Sequence, residues 1–493
     1  MLFTSLPFVL FFIAVFSLYW FVFNRYLKLQ NFLLLISSYI FYGWWDWRFL
    51  LLLFFISFSN YLLAIEIRKK DKKSQRKPYF LAALIINIGT LIIFKYFNFF
   101  IDGLASLISL SGVKVSIVTF NIILPLGISF YIFLSISYII DVYQNKLEAV
   151  RNVFDALLTF SFFPIILAGP IHRPIGLLPQ IQTLRIFDKA LAASGLKQIL
   201  WGIFMKMVIA DNCTGNVSTI FQNFESYNGS TLVLGAFLFT VQIYADFAGY
   251  SNIAIGIGKL LGFNIMQNFA YPYFSRDIRD FWKRWNMSLT TWFRDYTFLP
   301  VAYWVSGKIK SEKFYFINTE FLIYITGITV TWMLTGLWHG ANYTFIIWGL
   351  IQGVFLIFYH ASVKPRKRLL KRIHLSNNNS IFIFIETLFT LTIIMFSWIF
   401  FRADNVGDAF KYISGIFTRS VFSAPDIKTD PVLFFLIALF FIVEWLGRKQ
   451  EYAIAGIGLK WPVLLRWSLY CIIIFLIGMF MSTSESPFIY FQF

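Results

Sequence analysis

His339 is the histidine in this sequence whose position best suits proton-transfer chemistry. It lies in the run TGLWHGAN, residues 335–342, which joins two apolar segments with almost no loop between them. An ionisable side chain inside apolar surroundings is costly, so it is a functional candidate by default. An imidazole can take a proton from a hydroxyl near neutral pH. The alternative is a histidine that caps a helix end at a membrane surface.

The other histidines are weaker candidates. His172 lies in the turn-rich run GPIHRP, residues 169–174. His360 lies at a helix end beside a strongly basic loop and His374 lies within that loop, so both are expected at the membrane interface.

A tryptophan-rich block, FWKRWNMSLTTWFRDY at residues 281–296, is the second candidate. Large apolar residues recur in it at spacings of three and four, which predicts an amphipathic helix at the membrane interface. These residues are Trp282, Trp285, Leu289 and Trp292, and the polar residues between them are Lys283, Arg284, Asn286 and Arg294. The block is either a surface helix with aromatic anchors or a docking edge for an anionic acyl carrier or coenzyme. In the second case Asn286 points into a cavity.

The run YADFAGYSN, residues 244–252, places Asp246, Tyr250 and Ser251 at the end of an apolar segment. Burying a carboxylate in a membrane costs free energy unless it is paired, and an Arg or Lys from the 276–294 region is the expected partner. Structural pairing and direct catalysis both remain open for this cluster.

The composition indicates that these candidate residues belong to a membrane protein. Of 493 residues, 58% are hydrophobic and only 13% are charged, whereas a soluble domain has roughly 25% charged residues. The apolar residues also come in stretches of roughly 20, enough to cross a bilayer. The chain is therefore predicted to be a polytopic membrane protein, which excludes a disordered chain, a disulfide-stapled secreted domain and a soluble nucleic-acid binder. The net charge of +18 is expected to collect in cytoplasmic loops.

Thirteen apolar segments can be recognised. They fall within 1–30 and near 30–45, 48–65, 79–101, 121–140, 153–169, 198–214, 229–250, 319–338, 342–360, 380–401, 431–447 and 463–482. The first has no charged region before it and no small-residue cleavage site, so it is expected to be a transmembrane helix and not a signal peptide.

The distribution of Lys and Arg predicts the topology. The basic regions are 69–77, 259–294 and 364–372, and the loops nearly free of Lys and Arg are 102–120 and 217–228. Basic loops favour the cytoplasmic side. The three basic regions can all lie inside and the two other loops outside if both termini lie outside and if 153–169 forms a re-entrant hairpin. This segment contains Pro164, Gly169 and Pro170. The prediction is an all-α protein with about 11 to 13 transmembrane helices plus re-entrant helices.

Several enzyme classes lose support. The sequence has no Gly-x-Ser-x-Gly elbow and no Walker motif, and neither Cys213 nor Cys471 has a metal or redox spacing, so no metal site is expected. A transporter or flippase for a lipid-linked saccharide remains a second hypothesis. Its support is the Gly- and Pro-interrupted segments near 125–129 and 164–170.

The motifs together resemble the membrane-bound O-acyltransferase family, and within it the bacterial branch similar to alginate O-acetyltransferases. They are the WxxSLxxWxRDY pattern within 281–296, WHG at 338–340, YADFAGYS at 244–251, GISF at 127–130, SYIIDVY at 137–143 and GPIxR at 169–173. They lie in order over most of the chain, and the tryptophan-rich pattern is the most specific of them.

The resemblance implies a bundle of helices around a central tunnel, with His339 as the essential base and Asn286 as a second polar group. In the bacterial branch the second position is most often histidine, so Asn286 leaves one proton acceptor with a hydrogen-bonding partner. We further expect tunnel or substrate contacts from Asp246, Tyr250, Ser251, Trp285, Ser288, Trp338 and Asn342. Donor docking is expected from Lys283, Arg284 and Arg294.

The expected protein is a multi-pass enzyme of the inner membrane, in contact with membrane lipids and not with nucleic acid. We expect one integral-membrane domain over 1–493, with N-terminal helices at 1–120, a catalytic core with the tunnel at 121–400 and C-terminal helices at 401–493.

The expected function is to move an acyl group, with acetyl as the first choice, from a cytoplasmic thioester to a hydroxyl of an envelope polysaccharide or peptidoglycan. The donor is acetyl-CoA or an acyl carrier, used as a substrate with no bound cofactor. Because the chain has no large outer domain, an extracytoplasmic partner transferase is expected to reach the polymer. A lipid, a protein or teichoic acid remains open as the acceptor.

Overall fold

The structure is a computed structural model that describes residues 1–111, 122–309, 311–314, 317–372, 379–482 and 488–489. Helices make up nearly all of its regular structure. His374 lies outside the described residues. Within these ranges, the β-strands are β1 (Lys313–Phe314) and β2 (Ile317–Asn318), which form a short antiparallel hairpin.

The helices follow one another along the chain with short connections. They are α1 (Leu6–Ser17), α2 (Leu27–Gly43), α3 (Phe49–Arg68), α4 (Lys73–Leu91), α5 (Phe97–Ser109), α6 (Ile128–Tyr143), α7 (Val153–Ser161), α8 (Phe163–Ile166), α9 (Pro174–Gln182), α10 (Lys189–Ile203), α11 (Asp211–Gln222), α12 (Gly229–Leu260), α13 (Ile278–Arg284), α14 (Met287–Phe293), α15 (Leu299–Lys308), α16 (Thr319–His339), α17 (Tyr343–Arg372), α18 (Ser380–Arg402), α19 (Val406–Ile416), α20 (Pro431–Gly447) and α21 (Val463–Phe480). π-helical segments occupy Leu18–Val22, Ile92–Tyr96, Phe204–Ala210 and Arg294–Phe298.

Among the described residues, eight helical stretches are long and apolar enough to cross a membrane. They are Phe49–Arg68, Lys73–Ser109, Lys189–Gln222, Gly229–Leu260, Thr319–His339, Tyr343–Arg368, Ser380–Arg402 and Val463–Phe480. Shorter apolar helical stretches cover Leu6–Val22, Ile128–Tyr143, Val153–Ile166 and Pro431–Gly447. The predicted class, an all-helical polytopic membrane protein, is confirmed. The tunnel and the orientation of the termini stay predictions.

The apolar segment at 153–169 is broken, as its prolines predicted. Helix α7 ends at Ser161, and Phe162 takes an extended conformation (φ −50°, ψ 107°) before the single turn of α8. Pro164 is tolerated because it stands in the first turn of α8, where its missing N–H has no partner to lose. The freed N–H of Phe163 donates to Ser38 Oγ at 3.1 Å. Whether the segment is re-entrant in a membrane stays a prediction.

The chain divides into two compact units, which alternate along the sequence. The first comprises Met1–Ile199 and Tyr250–Met266, and the second comprises Leu200–Gly249 and Gln267–Phe493. The predicted division of the chain at residues 120 and 400 stays a prediction.

The first unit packs its helices through paired polar groups and glycines. Helices α3 and α4 are joined by a reciprocal amide pair: Asn60 Nδ2 donates to Asn87 Oδ1 at 3.3 Å and Asn87 Nδ2 donates to Asn60 Oδ1 at 2.8 Å. Elsewhere, a Cβ on Gly256 would lie 2.6 Å from the carbonyl oxygen of Gly195. Backbones this close require glycine at the crossing, which is a common way to pack helices in a membrane.

The second unit contains the tightest helix crossing near the predicted site. A Cβ on Gly336 of α16 would lie 2.2 Å from the carbonyl oxygen of Phe345 in α17. A Cβ on Gly349 of α17 would lie 2.2 Å from the carbonyl oxygen of Trp332 in α16. Glycine at both positions lets the two backbones touch, and this contact fixes the end of α16, where His339 lies.

Candidate active site

A cavity of about 430 Å³ in the second unit contains both residues that were predicted to act in catalysis. Its lining includes His339 from α16 and Asn286 from the connection between α13 and α14. The remaining walls come from α13, α14, α16, α17 and the π-helical segment Arg294–Phe298. The structure therefore brings together two side chains that are more than 50 residues apart in sequence.

His339 is the last residue of α16 and is held in an aromatic cage. The centroids of the rings of Trp338, Trp348 and Phe401 lie 4.7, 5.0 and 4.9 Å from the centroid of its imidazole. All three meet the imidazole at steep angles, between 70° and 88°. The side chain is only 5% exposed, so the surrounding rings fix its orientation and leave it facing the cavity.

Asn286 lies in a left-handed backbone conformation, with φ 41° and ψ 54°. Asn adopts this region more readily than other residues with a Cβ. The turn is held by Asn268, whose carbonyl oxygen accepts from the N–H of Met287 at 2.9 Å. The side-chain Oδ1 of Asn268 accepts from Ser288 Oγ at 2.8 Å. The position of Asn286 is therefore set by a segment that precedes α13.

The prediction of one amphipathic helix over 281–296 is wrong. Helix α13 ends at Arg284, Trp285 is extended, and α14 begins at Met287. The spacing of the tryptophans could not reveal the break, because the left-handed turn at Asn286 is stabilised by the distant Asn268 and not by local helix propensity. The tryptophans are not surface anchors either, since Trp282, Trp285 and Trp292 are all buried within the protein.

Trp282 and Trp285 instead line the cavity together with Trp332, and Trp348 and Trp398 pack against this wall. Trp282 meets Trp332 at a centroid distance of 4.4 Å, Trp285 meets Trp398 at 5.0 Å, and Trp348 stacks on Trp398 at 5.6 Å. Such a wall supplies large apolar surface with fixed geometry. It limits the access of water to His339, and exclusion of water strengthens every polar interaction inside a reaction site.

Two of the three residues predicted to dock the donor line this cavity. Lys283 and Arg294 do so, whereas Arg284 pairs with Asp280 at 3.0 Å and is absent from the lining. Arg279 is also in the lining. The hydrogen bond that Arg294 donates to Asp295 raises the pKa of the guanidinium, which is therefore a fixed cation. The cavity thus has cations at its mouth and an interior of aromatic, aliphatic and threonine side chains.

Of the residues predicted to line the tunnel, Trp285 lies in the cavity wall and three others support the site without lining it. Trp338 packs against His339, and Ser288 holds the Asn286 turn through Asn268. Asn342 caps the start of α17, because its Oδ1 accepts from the N–H of Thr344 at 3.0 Å. The roles of these residues in substrate binding stay predictions.

Asp246 belongs to a buried ion cluster that does not line the cavity. Lys206 Nζ lies 2.8 Å from carboxylate oxygens of both Asp246 and Asp211. The N–H of Ile489 donates to the second carboxylate oxygen of Asp246 at 2.7 Å. The expected partner from the 276–294 region is therefore wrong. Lys206 lies in the same compact unit but on a π-helical segment that sequence spacing did not single out.

Tyr250 and Ser251 belong to the first unit, where the ring of Tyr250 stacks on Phe3 at 4.8 Å. Both side chains are buried. His172 also lies in this unit and is buried; its Nδ1 accepts from the N–H of Met266 at 3.4 Å. Burial lowers the pKa of His172 to about 4, so it is neutral near pH 7.

Sequence reasoning missed two supporting residues. Asn268 carries no recognisable signal, because it lies in an ordinary polar connection. Glu444 does carry one, since it is a lone carboxylate in the apolar run of α20. It accepts hydrogen bonds from Trp201 Nε1 at 3.1 Å and from the Tyr244 hydroxyl at 2.5 Å. The Tyr244 ring in turn lies 6.0 Å from Trp285, so Glu444 supports the cavity wall from behind.

Comparison with known proteins places this site in a family. Over its full length, the chain is 32% identical to a probable alginate O-acetylase of Pseudomonas putida, all of which is covered. The chain belongs to the membrane-bound O-acyltransferase family. The resemblance deduced from the sequence motifs is therefore confirmed. No model of a protein family matches the chain.

Other relatives in the membrane-bound O-acyltransferase family differ in the polymer that they are named for. A peptidoglycan O-acetyltransferase of Helicobacter pylori is 29% identical over 84% of this chain and 80% of its own. A teichoic acid D-alanyltransferase of Bacillus subtilis is 30% identical over 50% of this chain and 62% of its own. Two of the three relatives are named for O-acetyl transfer and the third for D-alanyl transfer, and the chain is an O-acyltransferase.

No metal site is visible among the residues that the structure describes, where no three or more His, Cys, Asp or Glu side chains form a group that could hold an ion. The polar residues that line the His339 cavity supply an imidazole, an amide, cations at its mouth and the hydroxyls of Thr290, Thr291, Thr331, Thr335 and Tyr324. This set suits acid–base chemistry on an uncharged reacting centre with an anionic group held nearby.

Proposed function

We propose that this chain transfers an acetyl group from a cytoplasmic thioester donor to a hydroxyl of a cell-envelope polysaccharide or peptidoglycan. His339 acts as general base and Asn286 as its polar partner. The observation that carries the proposal is that both side chains line one cavity, whose walls include Trp282, Trp285 and Trp332. The names of the relatives support the reaction class and the envelope acceptor.

The proposed step is a direct acyl transfer. The hydroxyl oxygen of the acceptor attacks the thioester carbonyl carbon while its proton passes to the imidazole of His339. The C–S bond then breaks, and the imidazolium returns the proton to the departing sulfur. The products are an ester and a free thiol. The amide N–H of Asn286 donates to the carbonyl oxygen as negative charge develops on it.

The size of the cavity supports a relay to the polymer. A volume of about 430 Å³ is in the range of small-molecule sites. The thioester end of a donor and one hydroxyl group fit such a space, but a stretch of polymer chain does not. This supports acceptance of the acetyl group by a partner transferase on the outer side, which then modifies the polymer.

The charged mouth supports a donor with an anionic group. Arg279, Lys283 and Arg294 lie at the edge of the cavity, and guanidinium and ammonium groups bind phosphate readily. Acetyl-CoA and an acyl carrier both present phosphate some distance from the thioester. We place this mouth on the cytoplasmic side of the inner membrane and both termini outside, in agreement with the basic loops.

A second candidate is transfer of D-alanine to teichoic acid. It is favoured by the similarity to the Bacillus subtilis D-alanyltransferase over half of this chain. The same base and cavity would serve, because the bond that forms is again an ester.

The test compares base-labile esters on purified envelope polymers from cells that express the wild-type chain, His339→Ala or His360→Ala. General-base catalysis contributes about 10²–10⁴-fold, so His339→Ala should reduce polymer acetate to background. His360 is exposed and outside the cavity, so its variant should retain acetate at equal membrane abundance. Unchanged acetate in the His339→Ala cells would refute the mechanism. Ester-linked D-alanine in place of acetate would favour the second candidate.

A further inference from the structure

A second cavity, of about 670 Å³, lies between α17, α18 and the segment that precedes α13. Its lining shares no residue with the lining of the His339 cavity. A smaller pocket of about 300 Å³ shares Arg366 and Glu386 with this cavity and Arg279 and Lys283 with the His339 cavity. The second cavity therefore adjoins the charged mouth of the first, and its own lining decides what it binds.

One end of this cavity is strongly positive. Its four guanidinium groups belong to Arg276, Arg366, Arg368 and Arg372, and its two carboxylates to Asp277 and Glu386. The lining thus has a surplus of two positive charges. An anion near this end is attracted, because charge that is partly shielded from water is screened less than on an open surface.

The two carboxylates are already engaged within the protein. Glu386 is shared by two cations, with Arg276 at 2.7 Å and Arg366 at 3.5 Å. Asp277 accepts from the Tyr359 hydroxyl at 3.1 Å. Arg368 lies on the same turn of α17 as Arg366 and is exposed. The guanidinium groups near the end of α17 are therefore positioned to bind an added anion.

The rest of the cavity is apolar and faces outward. Its walls include Phe358 of α17 and Phe389 of α18, which are 69% and 66% exposed. The ion pair of Arg366 with Glu386 joins the end of α17 to the start of α18. Both phenylalanines lie further along their helices from this junction, within the stretches that are apolar enough to cross a membrane. Charge at one end and aromatic surface beside it match the shape of a phospholipid.

We propose that this cavity binds an anionic phospholipid, with its phosphate held by Arg366 and Arg368 and an acyl chain lying along Phe358 and Phe389. A soluble phosphate would use the charged end alone and leave the phenylalanine wall without a function. A zwitterionic lipid would bring its quaternary ammonium into a region of surplus positive charge. Basic pockets between transmembrane helices are recognised sites for anionic headgroups.

The test measures the apparent unfolding temperature of the purified full-length chain in a neutral detergent. Added dioleoylphosphatidylglycerol should raise this temperature in a saturable manner, since a ligand that binds the folded state stabilises it. Dioleoylphosphatidylcholine and inorganic phosphate should not. The double variant Arg366→Gln with Arg368→Gln should need at least about tenfold more phosphatidylglycerol for the same shift, since each cation contributes about 1 kcal/mol at an anionic surface.

The matched control is Lys364→Gln with Lys367→Gln. It removes the same charge from the same helix, but neither lysine lines the cavity, so the lipid response should stay within twofold of wild type. An equal loss of the lipid response in both double variants would indicate unspecific electrostatic attraction and overturn the proposal. If the arginine variant does not fold, Phe358→Ser carries the test and should weaken the lipid response severalfold. A response to coenzyme A that depends on Arg366 and replaces the lipid response would also overturn the proposal.

Discussion

Gly336→Ala tests whether the crossing of α16 and α17 positions His339. The added Cβ would lie 2.2 Å from the carbonyl oxygen of Phe345, whereas ordinary contact begins near 3.4 Å, so the backbones must separate by about 1.2 Å. Overpacking of this kind costs about 1–3 kcal/mol, which the higher helix propensity of alanine offsets by about 1 kcal/mol. The protein should therefore still fold, with a modestly lower unfolding temperature.

The effect on activity should be larger than the effect on stability. Gly336 lies one turn before His339, so a shift of the crossing moves the imidazole by a similar distance. A misplacement of about 1 Å can cost about 10²-fold in rate. We therefore expect polymer acetate to fall by about two orders of magnitude in Gly336→Ala cells at unchanged membrane abundance.

Gly353→Ala is the matched control for this prediction. Gly353 lies on α17 and faces the same helix, but its nearest neighbour would be Trp332 Cβ at 3.5 Å, an ordinary contact. This variant should keep both its unfolding temperature and its activity. Wild-type activity in Gly336→Ala, or an equal loss in both variants, would refute the argument that this crossing positions His339.

Two further predictions concern Asn286 and the buried ion cluster. Asn286→Gly keeps the left-handed turn and removes the amide, whereas Asn286→Ala carries about 1–2 kcal/mol of backbone strain, so the glycine variant should unfold at or above the temperature of the alanine variant. If both variants are equally inactive, the amide itself is required. Full activity of the glycine variant would exclude that role. Lys206→Met leaves Asp246 and Asp211 buried without their cation and should lower the unfolding free energy by about 3–5 kcal/mol. Adding Asp246→Asn should recover part of that loss in thermal unfolding measurements, and no recovery would contradict the pairing.

The sequence determined the fold class and the identity of the main candidates. Apolar stretches of transmembrane length predict helices because a bilayer leaves backbone groups no other way to satisfy their hydrogen bonds. The helices observed at 49–68, 319–339 and 380–402 lie where the sequence placed them. His339 was identifiable for the related reason that a polar group in an apolar run is costly and demands an explanation.

The tertiary structure decided how the candidates are arranged. Only the fold shows that Asn286 and His339 share a cavity, that Asp246 pairs with Lys206, and that Arg284 pairs with Asp280 and does not line that cavity. These pairings join residues far apart in sequence, and helical periodicity gives the face of a helix but not the neighbour that it meets. The break at Asn286 has the same origin, because Asn268 supplies hydrogen bonds that no local pattern records. Local physics thus determines which segments are helices, and contacts between distant segments determine which side chains can act together.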